Sequence, residues 1–502
     1  MITKILSALK LRNTISERIT FDSLELRNNK KIWEFLKEYK SAIGGQLAEV
    51  ISLAESKKAQ ELEFAGGTIT VPAGLNCDFN LYNHFKEYFQ VDYKIPMFLY
   101  HSRSGVETEI YMSVLDDYEV FRKTFISNDA PQVITYFTFG PNLCWGRHSR
   151  WRAQFDIFNS NKSTAVTNHA CHSWNKSEKV YCDLDGNSQD TQTIVVSGEA
   201  KVGSLADIPL CTSVLELKQK KRQFKLSNGN AFNFIKNKNG QLSGNHVVSS
   251  YKRRTKLKLD QFEELKNFKE QDIIYNPYVL PFNNANIEFG LWWPLRDDEV
   301  KLNYKIDNDI RDITLTPDNN LLFRSQLSNS NKDMIIWQKY PNEPEETFNL
   351  NQPMLVARNK FSNDTDFTEF QSCWRNQGFE SKIFPHWLGN FKAMKPSSRL
   401  TGVINFNLFD TGELILQAVS PRGGFNLTGD LEVNVFDRSG SQIENIEMIV
   451  ENGKCFHFSF DKEKYGSDIA ALRIRSTNVD FTGNLVQWNQ NGATSLQHLW
   501  GY

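Results

Sequence analysis

Two periodicities divide the chain. Ile32, Leu36, Tyr39, Ile43, Leu47, Val50 and Ala54 recur at spacings of three and four, the stripe of an amphipathic helix. Gly44-Gly45 interrupts it, each Gly costing about 1 kcal/mol relative to Ala. The stripe keeps its phase through them, so one N-terminal helix is expected. Such a helix is either a docking or dimerisation element or a layer over the first sheet. From Gly66 onward, short runs of alternating apolar and polar residues are separated by Asn, Gly, Asp, Ser and Pro clusters. Period two with frequent turns predicts antiparallel strands. Brief helical inserts are expected at 116–125 (DDYEVFRKTF) and at 260–268, where Asp260 is placed to cap.

An internal echo organises the β region. The segments QFDIFNSNKS (154–163) and LLFRSQLSNSNKD (321–333) share the tetrapeptide NSNK, and LEVNVFDRSGS (431–441) has the same outline. Each is read as strand, tight turn and returning strand. Three related hairpins far apart in the chain suggest three β-sandwich-like units. The expected fold is therefore mainly β: a multidomain protein of antiparallel β-sandwich-like units behind an N-terminal amphipathic helix. Its expected divisions are an N-terminal helical segment (1–65), a first β domain (66–216), a basic connector with a short helix (217–280), a second β domain (281–395) and a C-terminal β-sandwich-like domain (396–502).

Composition narrows the function classes. A chain of 502 residues has room for several domains. Its formal net charge of −1 provides no global field toward nucleic acid or membrane, so any electrostatic role must be local. The seven cysteines are scattered, with no Cys-x-x-Cys pair, which points to free thiols in a reducing, cytoplasmic compartment. No run approaches the roughly 20 apolar residues that span a bilayer. The first twenty residues lack the apolar core of a secretory signal. Being basic, with no acid before Glu17, they leave a mitochondrial presequence as the alternative to an ordinary first element.

Candidate chemistry concentrates around one hairpin, with strands expected at 145–158 and 164–174 and a turn near 159–163. Trp151, Ala153, Phe155 and Ile157 form the core face. If His148 pairs with Trp174, then Arg150 faces His172 and Arg152 faces Ala170. The outward surface is then His148, Arg150, Arg152, His172 and Trp174, continued by Gln154 and Asp156. Guanidiniums fork onto carboxylate or phosphate, and an indole offers a stacking plane, so this face suits an anionic or carbohydrate-like ligand. The competing reading is a solvated strand face with cross-strand polar pairs. A slip of one residue would turn His172 inward.

Other chemistries find less support. His148, His169, Cys171, His172 and Cys182 are permissible zinc ligands, but they follow no known zinc spacing, so no metal site is expected. Phosphate-binding glycine loops and Gly-x-Ser-x-Gly are absent, and no cofactor is expected. From Lys218 to Lys258 there is no Asp or Glu, while Phe224, Phe232, Phe234 and Tyr251 interleave with the cations. That stretch either docks on acidic parts of the same chain or meets an external polyanion. Nucleic acid is the less favoured partner there, because no nucleic-acid module signature accompanies the charges. Trp292-Trp293, followed by Pro294, suggests a strand end with one indole exposed.

The expected function is a non-catalytic binding or assembly protein that recognises an anionic or carbohydrate-like ligand, or a partner with an acidic surface. The alternative is an enzyme with a His-based site, metal-dependent or not, in a β-sandwich cleft or between domains. His148, His169 or His172 would then serve as acid/base or ligand.

Overall fold

A computed structural model describes residues 64–71, 73–84, 86, 95–103, 106–126, 129, 132–139, 153–169, 179–182, 191–197, 212–218, 223–226, 233–236, 242–244, 248–249, 278–280, 284–292, 299–316, 319, 321–332, 334–338, 354–360, 367–372, 399–419, 428–451, 455–477 and 480–501. The expected helices at 32–54 and 260–268 lie outside these residues.

The described residues form mainly antiparallel strands. The first set comprises β1 (Phe64–Val71), β2 (Asn76–Tyr82), β3 (Ile95–Arg103), β4 (Val106–Leu115), β5 (Val120–Phe125), β6 (Gln132–Phe139), β7 (Ala153–Phe158) and β8 (Ala165–His169). It makes two sheets, ordered β1-β6-β3-β4 and β5-β2-β7-β8. Phe79 of β2 lies 5.4 Å from Tyr136 of β6, and His101 of β3 lies 4.5 Å from Phe125 of β5, so these sheets share an aromatic interior.

The second set holds β9 (Lys179–Cys182), β10 (Thr191–Ser197), β11 (Thr212–Lys218), β12 (Gln223–Leu226), β13 (Asn233–Lys236), β14 (Leu242–Gly244) and β15 (Val248–Ser249). Its sheets are β11-β10-β13-β14 and β12-β9-β15. Strands inside the stretch expected to be a connector thus pair with strands before residue 216.

The third set holds β16 (Tyr278–Leu280), β17 (Ile287–Trp292), β18 (Val300–Ile306), β19 (Asp309–Leu315), β20 (Leu321–Phe323), β21 (Met334–Gln338), β22 (Met354–Asn359) and β23 (Phe367–Ser372). The fourth holds β24 (Arg399–Val403), β25 (Thr411–Val419), β26 (Thr428–Asp437), β27 (Gln442–Glu451), β28 (Cys455–Asp461), β29 (Ile469–Thr477), β30 (Asp480–Trp488), β31 (Thr494–His498) and β32 (Trp500–Gly501). Among the described residues two one-turn helices, α1 (Arg324–Leu327) and α2 (Lys462–Tyr465), interrupt them. Among the described residues no helix is long and apolar enough to cross a membrane.

One strand order recurs. In the first, third and fourth sets, one sheet runs first-sixth-third-fourth and the other fifth-second-seventh-eighth. The fourth set adds β32 beside its first strand. Taking β9 as a second strand, the second set repeats sixth-third-fourth and fifth-second-seventh, with β14 in the place of a first strand. The edge strands β8, β14, β23 and β31, one from each set, approach one another. Leu242 N of β14 donates to Thr164 Oγ1 just before β8, at 2.8 Å. Mutual cover of this kind hides backbone groups that would otherwise recruit foreign strands.

Two local expectations are corrected. Residues 116–125 form a turn followed by strand β5, not a helix. Tyr118 takes a left-handed backbone (φ 64°), and its N–H donates to Asn83 O, so the segment turns before a helix can start. Residues 321–333 do not form a hairpin, because β20 and β21 belong to different sheets. The buried Arg324 side chain gathers the carbonyls of Ser330 and Lys332, wrapping the connection around itself. NSNK therefore marks a turn between seventh and eighth strands at 159–162 and a fifth-to-sixth connection at 329–332. It reports turn chemistry, not equivalent position.

Apolar contacts cross between sets. Phe158 and Ala165 join the core built by Leu400, Phe406, Leu414, Leu431 and Leu485. Tyr82, Tyr118 and Val120 pack with Val403, Phe436 and Ala471. On the opposite face of β25 and β30, Ile415 and Val486 join Ile287, Phe289 and Leu302 of the third set. Both faces of that sheet are consequently buried.

The hairpin turn after β26 is part of the first junction. Arg438 O accepts from Val120 N at 3.0 Å, and Gly440 has φ +82°. A methyl at Gly440 would press on the Asp117 carbonyl, whereas Gly466, at φ +72°, faces open space. Gly466→Ala is expected to cost about 1 kcal/mol through backbone strain alone. Gly440→Ala must also displace the 116–119 turn and is expected to lower the thermal transition further. Equal transitions for the two variants would show that this turn contact carries no stability.

Candidate functional site

The expected ligand face lies before the start of β7 and after the end of β8. His148, Arg150, Arg152, His172 and Trp174 lie outside the described residues, as does Cys171. The described part, 153–169, is a hairpin with the turn expected at 159–163. Asn159 Oδ1 accepts from Ser163 N at 2.9 Å and closes that turn. The ladder pairs Gln154 with His169 and Ile157 with Val166. This register is one residue away from the pairing that sets Arg152 opposite Ala170.

A second correction concerns the other face of the same strand. Ala153, Phe155 and Ile157 are core, as expected. Gln154 and Asp156, expected to face outward, are also completely buried. Their face of the β5-β2-β7-β8 sheet is covered by residues of the fourth set, and a polar network forms between them.

Pairing of β2 with β7 sets Asp78 opposite Asp156 and Asn80 opposite Gln154. Asn405, just after β24, inserts its amide between the carboxylates. Its Nδ2 donates to Asp78 Oδ2 at 2.9 Å and to Asp156 Oδ2 at 2.7 Å. Asp156 accepts further from Thr167 Oγ1 at 2.6 Å, Asn80 Nδ2 at 3.0 Å and Gln154 Nε2 at 3.1 Å. Asp78 Oδ1 accepts from Thr124 Oγ1 at 2.6 Å. Arg122 of β5 donates through Nε to Asn80 Oδ1 and through Nη2 to the Ile404 carbonyl, each at 2.5 Å. Gln487 Oε1 accepts from Asn405 N at 2.8 Å, which fixes the inserted loop from below. Gln154 Oε1 and Arg122 Nη1 are buried with no hydrogen-bond partner among the described residues.

Electrostatics follow from that burial. Loss of water pushes Asp156 up to about 6, and the Asp78 charge adds to the rise while Thr167, Asn405 and Gln154 oppose it. Burial lowers Arg122 to about 10 against the pull of the two carboxylates. The thiol of Cys77 is pushed well up by burial, with Asp78 and Asp156 adding. With both carboxylates buried, this network is a clamp between the first and fourth sets.

Its sequence signal was present as two polar-Phe-polar triplets, Asp78-Phe79-Asn80 and Gln154-Phe155-Asp156, on strands that pair. Alternation alone does not distinguish a face turned to solvent from one turned to another set. Among the described residues no group of three or more His, Cys, Asp or Glu is arranged to hold a metal ion. Comparison with protein-family models finds no match, and comparison with curated proteins finds none.

Because the folded-state value for Asp156 lies above its unfolded one, the folded protein binds the extra proton between about pH 4 and pH 6. Its contribution to stability is greatest below that window and falls as pH rises through it, by on the order of 3 kcal/mol. Urea unfolding of wild type and Asp156→Asn at pH 7 and pH 4.5 is expected to show wild type gaining on the variant as pH falls. A difference independent of pH would refute the assignment. Asn405→Ala strips a donor from both carboxylates and is expected to cost about 3 kcal/mol at neutral pH.

Proposed function

We propose that this chain is a non-catalytic binding and assembly protein. Its units lie near 64–169, 179–249, 278–372 and 399–501, each a β-sandwich-like pair of sheets, and it works in the cytoplasm. The observation that carries this reading is the meeting of four edge strands, one from each set with its recurrent strand order. Repetition of one scaffold within a chain multiplies strand-end loops while holding them at fixed spacing, a geometry suited to recognition.

The ligand is an anionic or carbohydrate-like molecule, or a partner with an acidic surface. It is met by His148, Arg150, Arg152, His172 and Trp174. Support comes from the open end of the β7–β8 hairpin: Gln154 and His169 are Cα partners there. The two segments that carry those five residues therefore attach to the scaffold side by side. Continued, that register would set Arg152 opposite Cys171 and turn His172 to the other face, so one ligand meets all five only where the segments leave the ladder. The clamp beneath, with Asp78, Asp156 and Asn405, anchors that scaffold. The basic stretch 218–258 supplies a second contact for the same kind of ligand.

Retention on a heparin column and binding to a neutral-glycan array test the proposal. Arg150→Ala and His172→Ala are expected to weaken capture about tenfold, equivalent to about 1.4 kcal/mol, with the thermal transition unchanged. Heparin retention should also fall with salt. Wild-type binding that survives both substitutions would remove this face from the function.

A further inference from the structure

A second polar cluster lies at the junction of the third and fourth sets, on the face of β25 that packs on the third set. Cys455 and His457 stand two apart on β28, and Glu413 sits on its neighbour β25. Cross-strand pairing places Ile415 opposite His457 and Glu413 opposite Ser459, so the three side chains share one face of the sheet. That is the face packed on the third set, through Ile415 and Val486.

The contacts run in sequence. Asn284 Oδ1 accepts from the backbone of Asn286 at 2.7 Å and Ile287 at 3.3 Å, leaving its Nδ2 to donate to Glu413 Oε2 at 2.7 Å. Glu413 Oε1 then meets His457 Nδ1 at 2.7 Å, and His457 Nε2 meets Cys455 Sγ at 3.5 Å. An ionised carboxylate only accepts, so Nδ1 carries a proton, and in the neutral imidazole Nε2 presents its lone pair to the thiol. Two charged groups of the described residues stand in this chain of contacts: Glu413 on β25, and Lys360 after β22, whose Nζ donates to Asn284 O at 3.1 Å. Glu413 is nearly buried, while Cys455 is partly open to solvent at the sheet edge.

We propose that Cys455 is a nucleophilic thiol that exchanges with low-molecular-weight disulfides, with His457 as its base and Glu413, held by Asn284, as the positioning residue. The thiol proton passes to His457 Nε2, and the thiolate attacks one sulfur of the incoming disulfide RS–SR. The S–S bond breaks as the Cys455–S–S–R bond forms, and the departing thiolate takes the proton back from His457. One disulfide and one thiol enter, and one mixed disulfide and one thiol leave. A reduced thiol partner reverses the exchange.

Oxidised glutathione is the probe, and peptide mapping of the full chain by mass spectrometry across pH 5.5–9 reads the rate at each cysteine. Cys455 is expected to react at pH 7 with a midpoint below that of an ordinary thiol, about 8.5, while the fully buried Cys77 stays unmodified. His457→Asn should slow Cys455 at least tenfold and move its midpoint upward, and the isosteric Glu413→Gln should act in the same direction by less. Thermal transitions of both variants establish that they are folded. The proposal is overturned if Cys455 resists modification, or if its rate and midpoint in folded His457→Asn match wild type.

Discussion

Burying both faces of a sheet takes away the solvent that its polar side chains would otherwise use. In β5-β2-β7-β8 one face is ordinary core, with Phe79 and Phe155 at 5.4 Å. The other carries Asp78, Asn80, Gln154 and Asp156 into the interior, where each unmet polar group costs about 1–3 kcal/mol, more when charged. Asn405 answers two of them with a single amide, and Arg122 brings a cation and ties Asn80 to the Ile404 carbonyl. Those bonds demand an orientation that apolar contact alone would not impose. The neighbouring stack of Tyr118 on Phe436, at 4.6 Å, supplies area while the clamp supplies direction.

The same demand recurs at the second junction by different means. Ile415, Val486 and Trp488 meet Ile287 and Phe289, and one buried polar group at this face, Glu413, is answered by Asn284 from the third set. Each junction thus combines an apolar patch with a carboxylate met by an asparagine of the opposing set. Edge strands complete the arrangement, since β8, β14, β23 and β31 cover one another.

Much of the fold was legible because period two is a local property. The β character after Gly66, the 159–163 turn and the Asp437 turn all follow from residues adjacent in the chain. Asp437 Oδ1 accepts from Ser439 N and Ser441 N, as such a turn requires. The polar network was not legible, because Asp156 and Asn405 are distant in sequence and no spacing announces that one covers the other. The expectation of a helix at 116–125 failed for a similar reason: pairing of β5 with β2 is a long-range choice that overrides spacing. Cys455-Phe456-His457 could have been noticed, since period two places Cys and His on one face. Glu413 and Asn284, which make that pair chemically coherent, lie on other strands.

The two described thiols with a known environment illustrate how that context decides reactivity. Cys77 is wholly buried on the core face of β2, and burial, reinforced by the Asp78 and Asp156 charges, holds it protonated. Cys455 is partly open and has an imidazole whose lone pair is directed by a carboxylate. Sequence composition treats them alike. Carboxylates next to a thiol disfavour its anion, as at Cys77, whereas an imidazole beside a thiol offers a base for its proton and a carboxylate on the far ring nitrogen orients that base. The junction that orients the third and fourth sets thereby fixes the geometry of the Cys455 relay, so its chemistry depends on how those sets are assembled.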